Sequence, residues 1–130
     1  MPRQRPVVEV IDGWPELDAG RLIHRVEIWT DAAASPPKVG PGGPVMVPVL
    51  FADGLNAAIE VLPGREVIRS GQDTAQTFVI VTMHYIDGVL PQMRVKNVAK
   101  GSMYLIQVPE DVEERGVVLQ LRCIGLGANT

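Results

Sequence analysis

A chain of 130 residues with 46% hydrophobic and 21% charged side chains has room for one compact domain and too much apolar material for a disordered polymer. Its formal charge of -3 supplies no overall positive field for phosphate, which argues against sequence-specific nucleic-acid binding. One cysteine cannot form an internal disulfide, and the longest uncharged stretch, Val39 to Ala52, is broken by Pro41, Pro44 and Pro48, so neither a bridged secreted framework nor a membrane span is expected.

With 13 Gly and 11 Pro, the chain is punctuated too often for long helices. Residues 1–20 read as an N-terminal arm. After the basic start Met1 to Pro6 only Val7 and Val8 precede Glu9, which is not the apolar core of a signal peptide. Trp14-Pro15 makes the arm apolar enough to lie on a neighbouring subunit. Leu22 to Thr30 alternates as a half-buried strand, with His24, Val26 and Ile28 on one face and Arg25 and Glu27 on the other.

Asp31 to Pro44, DAAASPPKVGPGGP, shows neither strand nor helix period and reads as a long loop. Val45 to Phe51, the turn Asp53-Gly54 and Ala57 to Leu62 suggest a hairpin. Pro63-Gly64 then ends the run, and Arg65 to Ser70 fits one helical turn. Gln76 to Tyr85 is apolar on both faces, which places Phe78, Val79, Ile80 and Val81 as candidates for a subunit interface.

Asp87-Gly88 and Lys100-Gly101 are turns flanking Met93 to Val98, and Met103 to Val108 follows. The acidic turn Glu110 to Gly116 leads into Val117 to Ile124, where Leu119, Leu121 and Cys123 alternate with Gln120 and Arg122. Cys123 is therefore expected to point inward as a small apolar residue. Residues 125–130 form a tail. The fold class is all-β: a small SH3-like barrel or sandwich of six to seven antiparallel strands over residues 21–124, with one long Pro/Gly-rich loop at 31–44.

Catalytic chemistry is hard to assemble from these residues. His24, His84 and Cys123 offer no metal-ligand spacing, and His24 reads as a strand residue. The glycines of Val39 to Pro44 lack the Gly-Lys-Ser/Thr ending of a phosphate cradle, and Lys100-Gly101-Ser102 has the wrong order. Gly125-Leu126-Gly127 is a fragment of a dinucleotide fingerprint with no helix after it. Ser35, Ser70 and Ser102 have no nucleophile-elbow context, and Glu110, Asp111, Glu113 and Glu114 crowd one turn as a solvated tip. No catalytic residue, cofactor or metal is expected, and the chain does not read as an enzyme.

Five segments in order carry a resemblance. They are Leu22-Ile23-His24-Arg25-Val26-Glu27-Ile28-Trp29, the run Ala57 to Glu66 with its Gly-Arg-Glu corner, Thr77 to Tyr85, DGVLPQMRV from Asp87 to Val95, and Tyr104-Leu105-Ile106 with the strand ending at Cys123. Together they resemble the phage head-tail joining family of small β-barrel head-closure (stopper) proteins, over Gly20 to Ile124. The chain departs from that pattern at Met83-His84-Tyr85, where the family often has an arginine before the aromatic.

The resemblance implies a homo-oligomeric, dodecameric ring under the portal and adaptor that closes the DNA channel, retains packaged DNA and docks the tail. Its partners would be portal and adaptor proteins, a tail terminator or other tail proteins, and packaged DNA touched without sequence preference, with no membrane. It would sit in the virion after assembly in the host bacterial cytoplasm. The candidate channel loop is Asp31, Ser35, Pro36, Pro37, Lys38, Val39, Gly40, Pro41, Gly42, Gly43 and Pro44, with Asp53 to Asn56 as second choice. The alternatives are a tail terminator or other tail-side ring, and a free-standing SH3-like or oligonucleotide-binding barrel.

Overall fold

Residues with a period of two dominate the chain. The computed structural model describes residues 6–69 and 72–126, and the side chains of 6–62 and 77–126, and it is built from strands. In chain order these are β1 (Val8–Ile11), β2 (Trp14–Leu17), β3 (His24–Ala33), β4 (Val39–Gly40), β5 (Gly43–Pro44), β6 (Met46–Arg69), β7 (Gln72–His84), β8 (Arg94–Asn97), β9 (Met103–Asp111) and β10 (Val118–Gly125). Six of them close an antiparallel barrel in the order β10-β7-β6-β3-β8-β9, with β9 pairing back onto β10. The all-β barrel expected from the pattern is the fold.

Alternation decides what the barrel buries. Val26 and Ile28 of β3, Val79, Val81 and Met83 of β7, Val95 of β8, Ile106 of β9, and Leu119, Leu121 and Cys123 of β10 meet in one core. Each is removed from water by its inward turn in a two-residue period, the main favourable term for a barrel of this size. Asn97 is also buried, and its Oδ1 accepts the amides of Ala99 and Lys100, so the polar group closes the turn before Gly101.

β6 corrects two expectations. Its 24 residues run unbroken through both Asp53-Gly54 and Pro63-Gly64. Between the pairs Val26↔Leu55 and Ile28↔Ala52, the single Glu27 lies opposite Asp53 and Gly54. Between Leu62↔Phe78 and Arg65↔Gln76, the single Thr77 lies opposite Pro63 and Gly64. Both are β-bulges, in which one extra residue bends a strand without ending it. Gly54, at φ +67, supplies the left-handed residue that such a bulge uses. The expected hairpin at Asp53-Gly54 and the helical turn from Arg65 are therefore absent. Residues 65–69 pair with β7 instead, and Ser70 lies outside the described residues.

A strand of that length overshoots the barrel at both ends, since at about 3.3 Å per residue it spans roughly 80 Å when straight. At its start, Met46 to Leu50 pairs with Trp29 to Ala33 of β3, although β8 leaves β3 at Trp29. At its end, residues 65–69 pair with 72–76 of β7, beyond the last β10 partner at Phe78. Two ribbons thus project from opposite ends of the barrel.

The N-terminal arm is a hairpin on its own barrel. Asp12 and Gly13 have φ of 54 and 73, the signature of a type I′ turn, and they join β1 to β2 at Ile11↔Trp14. β2 packs near β10, and Val7, Pro15 and Val118 are buried. Arg115 fastens the turn by donating from Nε to the Gly13 carbonyl at 3.1 Å while its guanidinium lies 5.1 Å from the Trp14 ring centre. Residues 1–5 of the expected arm and 127–130 of the expected tail lie outside the described residues.

Candidate assembly surfaces

The segment expected to be a period-free loop is mostly the end of the first ribbon. Asp31, Ala32 and Ala33 belong to β3 and face Pro48, Val47 and Met46. The Ala34 amide donates to the Val45 carbonyl at 3.0 Å and the Val45 amide to the Lys38 carbonyl at 2.9 Å. β4 and β5 then close a small hairpin through Pro41-Gly42. The correction has a physical basis: Pro and Gly weaken a ladder only where an amide is needed, and here two-residue strands suffice. Of the candidate channel residues, Ser35 to Pro44 form the ribbon tip, whereas Asp31 sits at its base.

Asp31 is held there. Arg94 of β8 donates from both terminal nitrogens to the two carboxylate oxygens, at 2.8 and 3.0 Å. This hydrogen bonding, with the guanidinium charge, keeps the Asp31 carboxyl below its ordinary value. No local pattern announces a pair 63 residues apart.

Around the ribbon base the apolar surface is large. Val45, Met46, Val47, Val49, Leu50 and Phe51 are all exposed, although all are apolar. A two-stranded ribbon has no second layer, so neither face can be buried within the chain. Phe51 finds partial cover against the turn at Gly88.

The four candidate interface residues divide by face. Val79 and Val81 are in the barrel core, which removes them from any surface. Phe78 and Ile80 point outward and are half-buried. With Leu62, Val108 and Arg122 they edge a groove of about 200 Å³ on the wall made by β6, β7, β10 and β9.

The groups able to do chemistry are dispersed. His24 accepts the Ile59 amide on Nδ1 at 3.4 Å, as a strand residue would. Cys123 is buried, and desolvation pushes its thiol up to about 12, so the nucleophilic thiolate is not formed near neutrality. Asp111 closes the acidic turn by accepting the Gly116 amide at 2.9 Å, and Glu113 and Glu114 beyond it both have positive φ. Among the described residues, no group of three or more His, Cys, Asp or Glu is placed to hold a metal ion. Also among them, no helix is long and apolar enough to cross a membrane.

The N-terminal hairpin, the β6–β7 ribbon and the Asp31–Arg94 pair were all missed in the sequence. Asp12-Gly13 between Val8-Glu9-Val10-Ile11 and Trp14 was the available signal for the first.

Comparison with known proteins gives one family and one solved structure. A family model described as phage head completion protein matches residues 17–125, from the end of β2 through β10. The phage-like element PBSX protein xkdH from Bacillus subtilis is similar in structure, with 14% identity, a TM-score of 0.49, and 78% of this chain and 92% of that chain covered. No curated protein matches.

Proposed function

The chain belongs to the phage head completion protein family, and on that premise we propose that its copies form a ring beneath the portal and adaptor, closing the DNA channel of a filled head and docking the tail. The coarser role, a virion component that joins head and tail and works against other phage head or tail proteins, comes with the family. The ring, dodecameric by the resemblance, and the channel closure are the finer reading.

The observation that carries it is the extent of the family match, which takes in every strand of the barrel. The two ribbons support the same reading. A part lodged between head and tail must touch neighbours on two sides, and β6 carries a ribbon to each end of the barrel. Ser35 to Pro44, with Lys38 as its single charge, is the segment assigned to the channel, because few fixed cations there let phosphate slide past. The work is mechanical, not enzymatic. DNA contact is non-specific, and the ring is assembled in the bacterial cytoplasm.

Heads filled in the absence of this chain provide the test. Adding the purified protein should protect packaged DNA from leakage and nuclease and should permit tail attachment. Heads that keep their DNA and take up tails equally well without it would overturn the proposal.

A further inference from the structure

We infer that the first ribbon of one copy docks in the β6–β7–β10–β9 groove of the next copy, so that the chain self-associates head to tail through two different surfaces. This rests on the ring reading and names the contact that builds the ring.

Three observations favour a second copy as the occupant. The ribbon and the groove are both apolar, and both are left open by the barrel. Met46, Val49 and Leu50 are 54%, 39% and 39% exposed, and Val108 at the groove is 50% exposed. Exposed apolar surface of this extent on one molecule marks an interaction site. Shape also matches, since the ribbon is a protruding two-stranded blade and the groove, at about 200 Å³, exceeds the roughly 150 Å³ cavity that accepts a benzene ring. It can hold one large apolar side chain.

Charge is complementary as well. Asp53, just past the apolar run of β6, has no ion pair among the described residues. Arg122, beside the groove, has an exposed side chain with only a 3.8 Å contact to Glu110. A carboxylate on the barrel wall beside the base of the blade and an underused guanidinium at the slot suit each other across an interface.

Placement decides the symmetry. The blade leaves the barrel at the start of β6 and its partner β3, whereas the groove takes in Leu62, near the other end of the part of β6 within the barrel, and otherwise β7, β10 and β9. Two different patches set at opposite ends of β6 favour pairing with two different neighbours over reciprocal exchange in a two-fold dimer. They form a heterologous contact, which repeats until it closes a ring or runs on as a filament. Pro48 within the blade brings no amide to either strand edge, so docking through side chains is favoured over strand addition along that edge.

Complementary half-variants test this. Val49→Glu spoils the blade and keeps the groove, and Val108→Glu spoils the groove and keeps the blade. Each alone should stay a folded monomer by mass measurement at concentrations where the native chain forms larger assemblies. Mixed, they should give a species of two chains and nothing larger, because only one intact blade meets one intact groove. Met46→Glu and Arg122→Glu, at exposed positions, are the second pair should either first variant fail to fold.

A native chain that stays monomeric throughout, or mixed variants that yield no two-chain species, would overturn the contact while leaving a head-completion role intact. Conversely, a two-chain species obtained with a protein that has no effect on filled heads would keep the contact and remove the role.

Discussion

Arg94 and Asp31 tie the barrel wall to the ribbon beyond it. β8 stops pairing with β3 at Trp29↔Arg94, and the two-pronged bond from Arg94 reaches Asp31, two residues farther out. The carboxyl is held below its ordinary 3.8 by that bond. A carboxyl depressed on folding adds stability that is complete above its unfolded value and disappears as pH falls through the lower folded one. Asp31→Asn should therefore melt below the native chain at neutral pH, with the gap shrinking as pH drops beneath 3.8. Thermal melts of both proteins across that range are the check, and a gap independent of pH would mean the attachment is not electrostatic.

The inward and outward residues of β7 should respond oppositely to charge. Val79 is 1% exposed, so Val79→Asp strands a carboxylate in the core with no partner. That costs several kcal/mol, a large share of the roughly 5–15 kcal/mol that holds a domain together. Ile80 faces outward, and Ile80→Asp should cost about 1 kcal/mol and leave a folded chain. Denaturant titration should find the first unfolded, or nearly so, and the second close to native.

Gly88 and Phe51 are predicted to be coupled. Gly88 has φ +89, and a Cβ there would lie 3.1 Å from Phe51 Cζ. Gly88→Ala thus meets both backbone strain and a ring that must shift, and about 1–3 kcal/mol of destabilisation is expected. In the background of Phe51→Ala only the strain remains. A double-mutant cycle should therefore show a smaller cost for Gly88→Ala in that background, and equal costs would mean the ring yields freely.

Much of the barrel was legible because its strands keep the two-residue period to their ends. The alternation of Leu119, Leu121 and Cys123 with Gln120 and Arg122 placed Cys123 inward, where it lies. β6 was misread for a specific reason: a turn and a bulge draw on the same residues. Asp53-Gly54 and Pro63-Gly64 have the composition of hairpin turns, and only the pairing partners of the flanking residues reveal that the chain carries on. Long-range pairs such as Asp31 with Arg94 leave no local pattern at all. Which face of Phe78, Val79, Ile80 and Val81 turns outward was not legible for a related reason. An apolar run predicts two buried faces but not whether the outer one is covered by the chain's own hairpin or by a neighbour.

The ribbon tip offers a clean separation of folding from function. The Ala34 amide already bonds to the Val45 carbonyl, so the ten residues 35–44 hang from the end of the β3–β6 ladder. Replacing them with Asn-Gly, the preferred two-residue hairpin turn, should leave the ladder below untouched. Loop closure depends only weakly on length, so stability should change by about 1 kcal/mol or less. The barrel, the Asp31–Arg94 pair and the apolar blade would all remain, and self-association should be preserved. What is lost is reach. If the tip serves the channel, a phage lacking this protein and complemented by the shortened variant should assemble heads that leak DNA before tails attach, with infectious yield falling together with retained DNA. Counts of infectious particles and of DNA-filled heads give the answer. Normal values of both would move channel closure away from this tip and leave the subunit the part of a spacer between head and tail.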